Sequence, residues 1–122
     1  MADSVAVKTI ATGKDKSIFL LTNRSDGSGE TGVTKIDISA LPGAPSRVKI
    51  SRLEWAVEGM RVELYFDRSS ADRAFICAGQ GSLGIEGIQD DGTGGTGDIK
   101  LSTIGAAANA TYSIMVEVKA EQ

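Results

Sequence analysis

The sequence predicts an all-β domain, an antiparallel sandwich or barrel of about eight or nine short strands with little helix. Three observations predict it. Apolar residues recur with period two along most of the chain, and runs of helical period are nearly missing. Clusters of Gly, Asp, Asn and Ser punctuate the apolar runs at short intervals. Glycine is 15 of 122 residues, against a usual share of about 7%, and the excess falls between the runs, where turns require positive φ.

Each element follows in order. Val5 and Val7 alternate with polar neighbours in a short first strand over residues 4–10. Ile18, Phe19, Leu20 and Leu21 are apolar on both faces, so they belong to a strand buried between two layers or to an interface. Over residues 33–38 alternation returns, with Ile36 and Ile38 on one face. Pro42 and Pro45 mark a connection that cannot join a central ladder.

Residues 47–67 are the clearest segment. Val48 and Ile50 share one parity, Leu53, Trp55 and Val57 the other, which predicts a bulge at Ser51-Arg52. Met60, Val62, Leu64 and Phe66 change parity again after Glu58-Gly59, which predicts a two-residue hairpin with Trp55 as its largest core anchor. Strands then follow at 71–78, 83–85, 98–103 and 111–119. In the last, Tyr112, Ile114, Val116 and Val118 face inward. The alanines of residues 105–110 suit one helical turn.

Composition bounds the function. A chain of 122 residues is expected to form one domain over residues 1–122 with a core of its own. Without histidine, the usual general base near neutral pH is missing, and zinc loses one of its two main ligand types. Basic residues number 13 against 16 acidic, and they are scattered, so no nucleic-acid partner is expected. No apolar run approaches the roughly 20 residues of a membrane helix, and the opening residues lack a basic leader, so neither membrane nor secretion is expected.

The candidate chemistry is thin. Asp90, Asp91, Gly92, Gly94, Gly95, Gly97 and Asp98 invite a calcium reading, but one loop lacks enough ligands, and turn geometry explains the same residues. The glycines lack the Lys-Ser/Thr ending of a phosphate loop. Glu54 and Glu63 fall opposite one another on the polar face of the expected hairpin, as a solvated surface rather than a glycosidase pair. Cys77 lacks a partner base. It is either a small buried hydrophobe or an intermolecular thiol in an assembly. No enzyme, metal or cofactor is expected.

Several pieces of the chain resemble a known group: LTNRSDGSGE and VTKIDIS within residues 21–39, VKISRLEWAVEGMRVELYFD at 48–67, GDIKLST at 97–103 and the closing TYSIMVEV at 111–118. Together they resemble the capsid decoration or cement proteins of tailed bacteriophages, over nearly the whole chain. The resemblance implies a jelly-roll-like β domain, commonly trimeric. Its partners would be the major capsid protein and copies of itself. It would lie on the virion surface after assembly in the bacterial cytoplasm, and would need no cofactor.

On that reading, the candidate interface comprises Ile18, Phe19, Leu20 and Leu21, the loop residues Ser25, Asp26, Gly27 and Gly29, and Asp90, Asp91, Gly94 and Gly95. The first strand could also add to a partner's sheet edge. A neck, collar or tail-associated subunit fits the same residues. A lectin-like carbohydrate-binding sandwich fits less well, because Trp55, Phe66 and Tyr112 fall on expected inward faces.

Overall fold

The computed structural model describes residues 4–11, 16–27, 29–41, 45, 47–69, 72–88 and 94–121. Among the described residues there are seven strands: β1 (Ser4–Ala11), β2 (Lys16–Asp26), β3 (Val33–Ile36), β4 (Arg47–Phe66), β5 (Asp72–Ile88), β6 (Ile99–Ile104) and β7 (Ala108–Glu121). Among the described residues the helical content is a single 3-10 turn, Ile38–Ala40. Every strand pair is antiparallel. The chain is therefore an all-β sandwich of the expected class, with fewer and longer strands than the sequence predicts.

Its architecture hangs on β4. The sheet runs β1-β2-β7-β4-β6-β3, and β5 lies along the other edge of β4. The first part of β4, up to Glu58, pairs with β7, and the part from Arg61 pairs with β6. The strand thus changes neighbour at Glu58–Arg61 and carries the sheet around a corner. Gly59 sits there with φ of 78°, a conformation that a Cβ disfavours. A Cβ at Gly59 would also meet the Ala110 Cβ at 2.9 Å.

This corrects the hairpin expected at Glu58-Gly59. The parity change is real, but it comes from a bend within one 20-residue strand. Between the pairs Val57–Gly79 and Val62–Cys77, β4 takes more residues than β5, and the surplus turns the side chains over. The other parity change is the bulge read from the sequence, for both β5 and β7 shift register between Ile50 and Arg52. Ser51 is buried there, with its hydroxyl 3.0 Å from Glu117 Oε1.

Inner faces of both halves meet in one core. Phe19 and Leu21 from β2 join Ile114, Val116 and Val118 from β7, and Val62, Leu64 and Phe66 of β4 join Leu101 of β6. Tyr112 and Phe66 are the largest fully buried side chains. Trp55 is only half-buried and packs on the core's margin, so it is not the anchor expected. Its ring needs the empty place at Gly81, where a Cβ would meet the indole at 2.8 Å.

Two further expectations change. The segments 71–78 and 83–85 belong to one strand, β5, which passes through Gly79 and Gly81 without a break. Residues 105–110 form no helical turn: Gly105 and Asn109 take positive φ, and β7 has begun by Ala108.

Candidate functional site

Glu54 and Glu63, expected to face each other, lie apart on β4. Glu54 pairs across the ladder with Ser82, and Glu63 with Ile76. Each carboxylate has its own surface cation: Arg52 is 3.7 Å from Glu54 and Arg73 is 3.4 Å from Glu63. That is a solvated charge pattern with no shared cleft. Among the described residues, no three His, Cys, Asp or Glu side chains gather as a metal site would require. Asp90 and Asp91 lie outside the described residues.

The candidate interface residues divide. Ile18 and Leu20 are half-buried on the outer face of β2, where they can contribute area to a partner. Phe19 and Leu21 are core residues and contribute none, because strand alternation turns them inward. Ser25 is likewise buried, and its Oγ accepts from the Gly27 amide at 3.0 Å. Asp26 pairs with Ala108 beyond a register shift. Gly27 is exposed and Gly29 half-buried.

Gly94 and Gly95 are exposed but tied down. The Arg68 guanidinium donates to the Gly94 carbonyl at 3.0 Å, and a Cβ at Gly95 would collide with the Asp67 carbonyl. Nearby, Thr96 Oγ1 donates to Asp67 Oδ2 at 2.8 Å, and Lys100 Nζ lies 3.7 Å from Oδ1. The Thr96 hydroxyl, and then the Lys100 charge, hold the Asp67 carboxyl below its ordinary 3.8. Cys77 is fully buried, and burial pushes its thiol up to about 12. An intermolecular disulfide through Cys77 is therefore closed to the folded chain.

Three further features bear on function, and only the first, a strand able to add to a partner's sheet, was read from the sequence. The first is the edge of β1. Among the described residues β1 has β2 on one side and no strand on the other. Val7 pairs with Leu21 and Val5 with Asn23, so both continue the inner face past the core, yet they are 45% and 47% exposed. Ile10 is exposed as well. The alternation of Val5 and Val7 was visible in the sequence, but not that their face lacks a cover.

The second feature is a shallow outer groove of about 280 Å³, lined by Ala56, Glu58, Gln80, Thr111 and Ser113 among others. On the opposite face of the sheet from this groove, Trp55 and Phe75 set their ring centroids 5.0 Å apart at 53°, and the indole Nε1 donates to the Ala78 carbonyl at 3.1 Å. The third is a buried polar cluster. Glu30, at the end of the loop after β2, is pinned along β6: its amide donates to Thr103 Oγ1 at 2.8 Å, and its carbonyl accepts from the Thr103 amide at 2.9 Å. Its carboxylate takes Lys35 Nζ on Oε2 at 2.5 Å, and Asn23 Nδ2 at 2.7 Å and the Tyr112 hydroxyl at 2.6 Å on Oε1.

No family model and no curated protein matches the chain. Several solved structures are distantly similar to it. A cupin superfamily protein from Desulfitobacterium hafniense superposes with a TM-score of 0.41 at 9% identity, over 100% of this chain and 82% of the other. A mutant of a family 29 carbohydrate-binding module gives 0.42 at 10%, over 98% and 92%. A low-affinity xylan-binding module of family 86 from Roseburia intestinalis gives 0.36 at 14%, over 99% and 96%. Superpositions this loose carry no ligand and no residue role onto this chain.

Proposed function

We propose that the protein acts through contact area, as an assembly subunit that completes the unfinished face and edge of β1 against a neighbouring subunit. The exposure of Val5 and Val7 is the observation that carries this reading. Both lie on the face that the rest of the sandwich buries, and among the described residues no strand pairs with the outer edge of the strand that holds them. Strand addition satisfies both needs at once. Lys8 on the opposite face keeps the edge soluble until a partner arrives. The finer form of the proposal is the one the sequence resembles: a phage capsid decoration or cement subunit, or a neck or tail-associated one, binding coat protein and its own copies.

Sedimentation of the purified protein from micromolar to near-millimolar concentration tests it, together with amide exchange of β1. Wild type should associate as concentration rises and protect β1 amides, and Val7→Lys should remain monomeric with the same circular dichroism. Added to expanded empty phage capsids, wild type should raise their melting temperature. A monomer at every concentration, with freely exchanging β1 and no capsid effect, would overturn the proposal.

A carbohydrate-binding reading is favoured by one observation. Trp55, expected inward, is only half-buried and packs on a half-buried Phe75, and a partly exposed aromatic pair is the kind of surface on which sugars stack. Glycan binding at micromolar affinity that Trp55→Ala abolishes would establish it, and a blank glycan array would remove it.

A further inference from the structure

The cluster around Glu30 contains an amine, a carboxamide and a carboxylate that touches both, all within the protein interior. Lys35 and Glu30 side chains are 2% and 6% exposed, and Asn23 is buried with them. Asn23 comes from β2 in one half of the folded sheet and Lys35 from β3 in the other. An ion pair alone would need only Lys35 and Glu30. Here the second oxygen of Glu30 is engaged by the Asn23 amide, while Tyr112 Oη fixes the carboxylate's orientation.

We propose that this is a self-modification site, at which Lys35 and Asn23 join in an amide bond with Glu30 carrying the protons. The ingredients are those the reaction requires. A carboxamide is a poor electrophile and ammonia a poor leaving group, so both need a proton carrier within hydrogen-bond reach. The amine must shed a proton to become a nucleophile, and Glu30 Oε2 is there to accept it. Burial excludes the water that would compete as nucleophile, and fixed neighbours replace diffusional encounter.

The step balances without a cofactor. The Lys35 ammonium gives a proton to Glu30, and the Nζ lone pair attacks Asn23 Cγ. Glu30 Oε1 already faces Asn23 Nδ2, so the carboxyl proton is delivered to the nitrogen that leaves. The tetrahedral centre then collapses, the Cγ–Nδ2 bond breaks, and protons relayed from Nζ through Glu30 leave with the nitrogen as ammonium. Lys35 and Asn23 end as one secondary amide, and Glu30 returns to a carboxylate. Tyr112 is a positioning residue. The product staples β2 to β3 across the two halves of the sheet.

Mass spectrometry of the intact, natively incubated protein tests this. Cross-linking lowers the mass by about 17 Da, the loss of ammonia. After trypsin, residues 17–24 should appear joined to residues 25–47, uncut at Lys35. Glu30→Gln and Lys35→Met should each keep the full sequence mass and yield separate peptides. Asn23→Asp supplies a second arm that a merely structural cluster would not move: it loses water instead of ammonia and yields the same cross-linked product as wild type. Folded wild type with separate peptides after days at neutral pH overturns the proposal, whether or not the variants fold.

Discussion

Replacing Gly59 by alanine tests the corner of β4 directly, because two costs meet there. A Cβ residue held at φ of 78° pays for its left-handed backbone, about 1–2 kcal/mol. The new methyl also approaches the Ala110 Cβ at 2.9 Å and its Cα at 3.3 Å, an overpacking of about 1–3 kcal/mol. Gly59→Ala should therefore lose about 2–5 kcal/mol in urea denaturation. Gly79 and Gly105 share the backbone conformation, at φ of 64° and 67°, but a Cβ at either meets nothing within 4 Å. Alanine at those two sites should cost only the first part, about 1–2 kcal/mol. Ala110→Gly in the Gly59→Ala background should recover part of the loss, with a double-mutant coupling of about 1 kcal/mol or more. Equal costs at Gly59 and Gly105 with zero coupling to Ala110 would refute the corner, because a simple hairpin turn needs the backbone conformation and not the contact.

Two titrating groups, Cys77 and Asp67, respond to pH in opposite senses. Cys77 should ignore Ellman's reagent at pH 8 in the folded protein and react fully in urea; prompt native reaction would contradict its burial. Its folded value lies above the ordinary 9.0, so its contribution to stability is complete below 9.0 and is lost as pH rises from there through about 12. For Asp67 the sign is opposite. Its folded value lies below 3.8, so the stability it contributes is present above 3.8 and fades as pH falls through the folded value. A carboxyl titration followed by NMR should show that depressed midpoint, and Thr96→Val should move it back toward 3.8.

Local pattern carried the fold class and much of the register. The bulge at Ser51-Arg52 was legible because Ile50 and Leu53 are both apolar and cannot share a parity. The corner at Gly59 left an equally clear slip, yet a slip beside glycine suits a hairpin as well as a bend. What separates them is β5 running past both parts of β4, and that information lies some twenty residues away. β5 itself looked broken because Gly79 and Gly81 interrupt the apolar alternation, although an edge strand beside Trp55 needs backbone there and no side chain.

The polar cluster was hidden for a related reason. Glu30 stands in a loop of polar residues, and strict alternation with Ile36 and Ile38 would send Lys35 outward. An irregularity between Thr34 and Ile36 turns Lys35 in, and Thr103 of β6 holds the Glu30 backbone over it. Neither contact is encoded next to the residues it buries. The exposed face of β1 is the reverse case: its apolar pattern was plain, but what fails to cover it is a property of the whole assembly of strands.

Since β4 serves both halves of the sandwich, the molecule has no seam. Neither half could melt while the other kept its ladder, because the same backbone supplies rungs to each. Unfolding should accordingly be a single event, with the slowest-exchanging amides of β6 and β7 released at one common rate. A pull applied to the chain ends would likewise meet its resistance in the middle of the sequence, where that shared strand must be torn from neighbours on both sides together.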